Sequence, residues 1–398
     1  MAWKESDRVS ERLDFVKLAS VEGANISEIC RRFGVSRKTG YKWLLRWKKE
    51  GPDGLVDRSR RPSRSPSRTS EKVEEQVLSI RQEHPAWGSR KIRRRLELLK
   101  CRSVPSVSTI TSILHRHGCI SAEASSKAKA FTTFERGEPN ELWQLDFKGD
   151  FELSSGGRCY PLTVLDDHSR YSLGITACGN QRRDTVEQHL CTTFRRYGIP
   201  QSIYVDNGPP WGASFDARHT RLSVWLMCQD INVIHGRPYH PQGRGKLERF
   251  HRTLKLEVLQ GRSYRSLDGV QSDFDPWRDI YNHERPHDAL DLSVPASRYY
   301  ASDRSFNEFI TPFEYSSRFQ TRKASSKSYF SFNGTKYRIS EAFAGEQLGL
   351  APTSNDGVWD VYFRRFVVAH IDERTGTTIR NQAITYENGS SDRPGTQK

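Results

Sequence analysis

Three acidic side chains have the types and spacing for metal-dependent chemistry on phosphodiesters. Asp146 lies mid-strand in WQLDF, flanked by apolar residues. Asp206 ends the strand-like stretch SIYVD and is followed by Asn-Gly, a pair that turns the chain sharply. Glu248 sits near the start of a long helical stretch opened by HPQGRGK. Carboxylates at a strand centre, a strand end and a helix start can converge at one edge of a sheet. Three such charges within a few ångströms repel by roughly 4 kcal/mol per pair at 4 Å and an effective dielectric of 20, so they need a cation. Ligands made only of oxygen select Mg2+ or Mn2+. Two ions about 3.5–4 Å apart can activate a nucleophile and stabilise a leaving oxygen in phosphodiester attack. Catalysis and metal ligation are therefore both expected at Asp146, Asp206 and Glu248. Lys246 and Arg249 flank Glu248 and are expected to face DNA phosphate.

Other clusters carry less chemistry. Asp166-Asp167-His168 ends a strand before a turn and reads as structural or DNA-proximal. GRGK at 243–246 lacks the glycine spacing and the following Ser/Thr of a phosphate-binding P-loop. His115, His117 and Cys119 sit at a helix end without a partner pair and read as surface residues. His235 and His240 read as scaffold or DNA contacts. No Ser–His–Asp set stands out.

The elements that must position the acids are strands and helices of one unit over 141–300. Strand-like stretches are ELWQLDFKGDFEL, CYPLTVLDDHSR, YSLGITACG, SIYVDN and NVIHG; helical ones are RDTVEQHLCTTFRRYG, the segment around TRLSVWLMCQD, and PQGRGKLERFHRTLKLEVLQ. Three strands followed by alternating helices and strands suit an antiparallel meander extended by parallel strands, with helices on both faces. Residues 328–380 alternate with period two and read as a small β-barrel.

The front of the chain reads differently. In ISEICRRFGVSRKTGYKWLLRWKKEG, Ile26, Ile29, Cys30 and Phe33 share a helix face, Gly34 breaks the helix and Ser36 caps the next. That second helix is expected to bury Tyr41, Leu44 and Trp47 and to expose Arg37, Lys38, Thr39 and Lys42. This is a helix–turn–helix pattern, whose second helix enters the major groove. Residues 57–70 alternate Arg58, Arg60, Arg61, Arg64 and Arg68 with Ser and Pro, which suits a flexible arm lying on phosphates or in a minor groove. Residues 71–120 read as a second helix–turn–helix. Its apolar stripe is Trp87, Ile92, Leu96 and Leu99, and its basic face holds Arg90, Lys91 and Arg93 to Arg95.

Composition agrees with this division. The formal net charge is +15; residues 1–140 contribute +13 and the remainder +2. A basic front joined to a nearly neutral body suggests a nucleic-acid-binding arm on another unit. No run of about 18 apolar residues is present, which excludes a membrane-spanning helix, and the N-terminus lacks the apolar stretch of a signal peptide. Seven irregularly spaced Cys without a CxxC pair argue for free thiols in a reducing compartment and against a four-Cys zinc site. The expected location is the cytoplasm, on the nucleoid when bound to DNA.

On these stretches the chain resembles the insertion-sequence transposases of the retroviral-integrase superfamily, the DDE recombinases. The matching segments are WQLD at 143–146, LDDHSR at 165–170, VDNG at 205–208, HPQGRGKLER at 240–249 and YNHERPHDAL at 281–290, the last through Asn282, Arg285 and Pro286. The resemblance implies a ribonuclease-H-like catalytic core and metal-dependent cleavage at transposon ends, followed by attack of a 3′-hydroxyl on target DNA. It carries the three acids onto Asp146, Asp206 and Glu248. Asp206 and Glu248 are 42 positions apart, several more than the family's usual spacing, which an extra loop around 213–220 accounts for. Glu257 is the rival third acid but lacks the Gly-Lys-x-Glu-Arg frame. Gly243-Arg244 replaces the commoner small-polar pair, and the histidine/cysteine zinc module of retroviral integrases is absent.

The expected organisation is a multidomain α/β chain. It runs as a helix–turn–helix domain (1–56), an Arg/Ser/Pro linker (57–70), a second helix–turn–helix (71–120) and a linker (121–139). An integrase-type core (140–300), a small β domain (325–382) and a disordered tail (386–398) follow. The expected partners are double-stranded DNA, both transposon ends and target, and further copies of the chain in a dimer or larger assembly on DNA. The alternatives are a catalytically inactive DNA-binding derivative and a nuclease that cuts without joining.

Overall fold

Capping chemistry decides where the first helices stop. α1 (Arg8–Ala19), α2 (Ile26–Arg32) and α3 (Arg37–Glu50), followed by a 3-10 turn at Gly51–Leu55, lie in the first of two units. The computed structural model describes residues 8–58, 69–120, 135–212, 219–236 and 245–379, and its units are Met1–Arg68 and Thr69–Lys398. Gly34, at φ +63°, ends α2 in the left-handed region that glycine occupies without penalty. Ser36 caps α3 by accepting the Thr39 N–H at 3.2 Å. Phe15, Val16, Cys30, Trp43, Leu44 and Leu55 form the small core. Gly40 allows α3 to approach it, since a Cβ there would lie 2.6 Å from Cys30 Sγ. The expected burial of Tyr41 is corrected: it is 57% exposed, and Trp43 fills its place inward. Arg37, Lys38 and Lys42 stand exposed on α3, and Thr39 is partly exposed. Arg58 pairs with Glu50. Arg60, Arg61, Arg64, Arg68 and His240 lie outside the described residues.

The second unit opens with α4 (Glu71–Glu83), α5 (Ser89–Leu98) and α6 (Val107–Arg116). Val77, Ile80, Trp87, Ile92, Leu96, Ile110, Ile113 and Leu114 are buried between them. Leu99, expected in the stripe, is 53% exposed because α5 ends at Leu98 and the chain turns outward. Ser106 caps α6 by accepting the Thr109 N–H.

The central sheet comprises β1 (Leu142–Phe147), β2 (Phe151–Glu152), β3 (Arg158–Asp166), β4 (Ser172–Cys178), β5 (Ser202–Val205) and β6 (Asn232–His235). β1, β3 and β4 pair antiparallel, while β5 joins β1 and β6 joins β5 in parallel. α7 (Arg183–Tyr197) and α8 (Arg221–Cys228) cover one face through a core that includes Trp143, Leu145, Leu190, Phe194, Ile203, Val205 and Leu226. α9 (Gly245–Leu254), a wide π turn at Lys255–Leu259 and α10 (Leu267–His283) cover the other. There Leu247, Phe250, Leu254, Phe274 and Tyr281 meet Leu165 and Ile175. The core continues past 300, since Phe306 packs on the first face.

Two buried polar links hold these helices. Glu257 accepts from Arg285 Nε at 3.2 Å and from Trp277 Nε1 at 2.8 Å, and both charged side chains are under 10% exposed. Asn282 completes the backbone of β4, accepting the Ser172 N–H and donating to its carbonyl. α5 is fastened to the end of α10: Arg90 and Lys91 pair with Asp288, and Arg95 with Glu284.

The C-terminal strands are β7 (Gln320–Lys323), β8 (Tyr329–Phe332), β9 (Thr335–Arg338), β10 (Gln347–Pro352), β11 (Val358–Phe363), β12 (Phe366–Asp372) and β13 (Thr377–Ile379). They form a five-stranded antiparallel sheet, β13-β12-β11-β10-β7, and a separate β8–β9 hairpin. The five-stranded sheet, with the hairpin against its edge strands β7 and β13, is partly consistent with the small β-barrel expected from the sequence and begins at Gln320. It packs on the outer side of α8 through Val224 and Met227.

Glu257→Ala leaves the Arg285 guanidinium buried and uncompensated, so it is expected to cost about 3–5 kcal/mol, read as a drop in the urea midpoint. Burial, aided by Arg285, pushes the Lys91 ammonium down to about 8. Between pH 8 and 10.5 the folded state has released this proton while the unfolded chain keeps it, so Lys91 makes stability rise with pH across that window. The contribution is complete above 10.5 and gone below 8. Lys91→Met is expected to flatten this rise when urea midpoints at about pH 7 and about pH 10 are compared.

Candidate active site

Backbone register places the first two acids. β1 and β5 run parallel with partners Leu142↔Ser202, Trp143↔Ile203 and Gln144↔Tyr204. The same offset sets Asp146 beside Asp206, one residue past the end of β5, on strands about 4.8 Å apart. Side chains alternate between faces along a strand. Trp143, Leu145, Ile203 and Val205 all enter the α7/α8 core, so Asp146 and Asp206 belong to the face that α9 covers. Both are partly exposed.

Asp206 is shaped by its own turn. Gly208 N–H donates to its Oδ1 at 3.0 Å. A Cβ on Gly208 would lie 3.3 Å from Oδ2, so glycine sits against the carboxylate without crowding it. Asn207 donates to the Gly236 carbonyl at 2.8 Å and fastens the turn to the end of β6. His235 Nδ1 lies 3.0 Å from the Asp206 carbonyl, which makes it scaffold.

Glu248 is exposed in the first turn of α9, between two anchors. Upstream, Lys246 Nζ donates to Asp167 Oδ2 at 2.6 Å and to the Asp167 carbonyl at 3.1 Å. Downstream, His251 Nε2 meets Thr163 Oγ1 at 2.7 Å, and Thr163 is the cross-strand partner of Asp146. Glu248 and His251, three positions apart, share a helix face. Glu257 is committed to Arg285 and Trp277, which removes it as the rival third acid.

Several expected DNA contacts are reassigned. Lys246 does not face phosphate: its side chain is 11% exposed and is held by Asp167. Burial lowers its pKa while Asp167 opposes the shift. Asp167 also accepts from Gln144 at 2.7 Å and from the Arg136 N–H at 3.0 Å. Asp166 accepts from Ser169 N–H and Oγ and from Asn140 N–H, so the DDHSR turn is structural. Lys91 is 15% exposed and bound to Asp288. Arg90 stays largely exposed while pairing with the same carboxylate, and Arg249 is exposed beside Glu248. His117 meets Glu74 at 3.4 Å.

Two cations escaped the sequence reading. Lys148 follows Asp146 by two residues and therefore shares its face. Lys255 follows Glu248 by seven, two helical turns along the same stripe. Burial lowers the Lys148 pKa and the Lys255 charge adds to the shift, so these two ammonium groups lie near each other. Spacing from the acids was the signal that would have found them.

The donor set suits a hard cation, because Asp146 and Asp206 offer only oxygen and Gly208 leaves room beside the second carboxylate. Among the described residues no three His, Cys, Asp or Glu side chains are gathered closely enough to hold one metal ion. Among the same residues no helix is long and apolar enough to cross a membrane.

Known families and proteins share these parts. Residues 11–63 match a helix-turn-helix domain family and residues 39–114 a homeodomain-like one. Residues 136–241, which hold Asp146 and Asp206, and residues 229–295, which hold Glu248, match two integrase core domain families. Residues 319–379 match the C-terminal domain of IS481 family transposases. An uncharacterized 31.7 kDa protein of insertion element IS407 from Burkholderia multivorans is 29% identical over 160 residues, 40% of this chain and 55% of that protein. The Gag-Pro-Pol polyprotein of Sheep pulmonary adenomatosis virus is 33% identical over 125 residues, 31% of this chain and 6% of the polyprotein. Among solved structures, the HTLV-2 integrase catalytic core domain in complex with magnesium aligns at 12% identity and a TM-score of 0.31, covering 41% of this chain and 99% of that one. The chain thus spans about half of the insertion-element protein and a small part of the polyprotein. With helix–turn–helix families matched ahead of an integrase core and an insertion-sequence C-terminal domain behind it, the chain is a member of the insertion-sequence transposases of the retroviral-integrase superfamily.

Proposed function

We propose that this protein is a DNA transposase that binds the terminal inverted repeats of an insertion sequence, cleaves at those ends and joins the freed 3′-hydroxyl to target DNA. The observation that carries the reading is the in-register placement of Asp146 and Asp206 on the face covered by the helix bearing Glu248. Asp146 and Asp206, with Glu248 brought up to them, would hold two Mg2+ or Mn2+ ions, which would supply charge neutralisation for the attacking and leaving oxygens. The attacking group is water in cleavage and a DNA 3′-hydroxyl in joining.

The chain's own residues hold the DNA. Lys148, on the Asp146 face of its strand, and Lys255 and Arg249, on the helical segment that carries Glu248, take up backbone phosphates and orient the reacting strand against the carboxylates. Arg37, Lys38, Thr39 and Lys42 on α3 read the major groove in the first module. In the second module α6 offers the exposed row Ser108, Ser112 and His115, while Arg90 and Lys91 fasten α5 to the core. The arm from Arg58 through Arg60, Arg61, Arg64 and Arg68, which joins the two modules in sequence, takes up phosphate. Two ends must be held together for joining, which calls for a dimer or larger assembly on DNA.

Labelled-end assays on the element's own repeats test this. With Mg2+, wild type is expected to nick and join, and Asp206→Asn and Glu248→Gln to lose activity on the order of 10²–10³-fold or more, with urea midpoints near wild type because both groups are partly or fully exposed. Binding without nicking would mean an inactive derivative, and nicking without joining a nuclease. Replacing the five arm arginines by Ala is expected to weaken binding and to flatten the dependence of log K on log salt by about 0.9 for each phosphate that is no longer neutralised. An unchanged slope would make the arm a tether only.

A further inference from the structure

We propose that His251 is a positioning residue that sets the separation between the carboxylates of Asp146 and Glu248. The inference rests on the reading of those acids as metal ligands. Thr163 is fully buried, and its hydroxyl makes two contacts: to the Asp146 carbonyl at 2.9 Å and to His251 Nε2 at 2.7 Å. A carbonyl oxygen only accepts, so the single Thr163 proton goes to Asp146. The hydroxyl oxygen is then the acceptor toward His251, and Nε2 must carry a hydrogen. One tautomer of the imidazole is thereby selected by proton accounting.

The consequence is mechanical. The backbone of Asp146 is linked through one buried hydroxyl to α9, three residues and about 4.5 Å of helix rise from Glu248. Lys246, anchored on Asp167, fixes the other side of Glu248. Apolar packing of Leu247, Phe250 and Leu254 seats α9 on the sheet but is not directional, whereas a hydrogen bond fixes which residue of the helix stands over β3. The His251 contact supplies that fix on the Glu248 side of the helix. Loosening such an outer contact of a metal site typically costs about 10–100-fold in metal affinity.

Mn2+ binding to the full-length protein, followed by the loss of free-ion electron paramagnetic resonance signal, tests this without requiring turnover. Wild type is expected to bind, and Asp206→Asn to bind far more weakly. His251→Ala is expected to weaken Mn2+ about 10-fold or more, with a thermal midpoint close to wild type. His251→Gln places an N–H where Nε2 stands and is expected to restore most of the affinity. His251→Asn is too short to reach Thr163 and is expected to behave as Ala does; it serves as the second variant should Ala impair folding. Ala and Asn variants that bind Mn2+ as wild type does would overturn the positioning role alone, as would a Gln variant no better than Ala. Wild type that binds no Mn2+ would overturn the reading of the acids and this proposal with it.

Discussion

Setting two carboxylates side by side at the ends of adjacent parallel strands is an electrostatic liability, and the architecture around it resists that repulsion. Asp146 and Asp206 share a level only because β1 and β5 pair in the observed register. That register is enforced from the opposite face, where Trp143, Leu145, Ile203 and Val205 are buried together. A slip of β5 by one residue would send Ile203 and Val205 toward α9 and Asp206 into the apolar core. The hydrophobic pattern that stabilises the sheet is thus the same pattern that aims the acids.

The helix above the acids is held by polar contacts whose burial makes them specific. Lys246 on Asp167, His251 on Thr163 and Arg285 on Glu257 each tie α9 or its π turn to a neighbouring element. Buried groups of this kind are costly if left unmatched, so each favours one placement of the helix over others of similar apolar burial. The motifs around 240–249 and 281–290 therefore combine two kinds of residue. Glu248 and Arg249 face solvent, whereas Lys246, Asn282 and Arg285 hold the frame.

The same division runs through the basic residues. In the second module, Lys91 and Arg95 are engaged with Asp288 and Glu284, so much of the positive charge on α5 serves to join the module to the core. Arg37, Lys38 and Lys42 in the first module remain exposed on α3. Positive charge in a sequence marks candidates for nucleic-acid contact, and internal acids then compete for them. Asp167 and Asp288 are the competitors in this chain.

Much of the fold was legible from local pattern, because burial imposes period two on strands and 3.6 on helices. The order of strands and helices in the core, the α2–turn–α3 signals at Gly34 and Ser36, and the family likeness all follow from local residues. Local pattern misjudged Tyr41, where the packing of α3 on its neighbours turns Trp43 inward instead, and Leu99, which falls just past the end of α5. Strand alternation at the C-terminus pointed to a small β unit but does not encode which strands pair, so the five-stranded sheet and the β8–β9 hairpin were set by the fold. The acids themselves were visible by type and context. The adjacency of Asp146 and Asp206, the commitment of Glu257 to Arg285, the internal use of Lys246 and Lys91, and the contact of His251 with Thr163 were decided only in three dimensions. The physical reason is that a charge is assigned by its nearest opposite or like neighbour, and in this fold those neighbours come from strands and helices tens to hundreds of positions away.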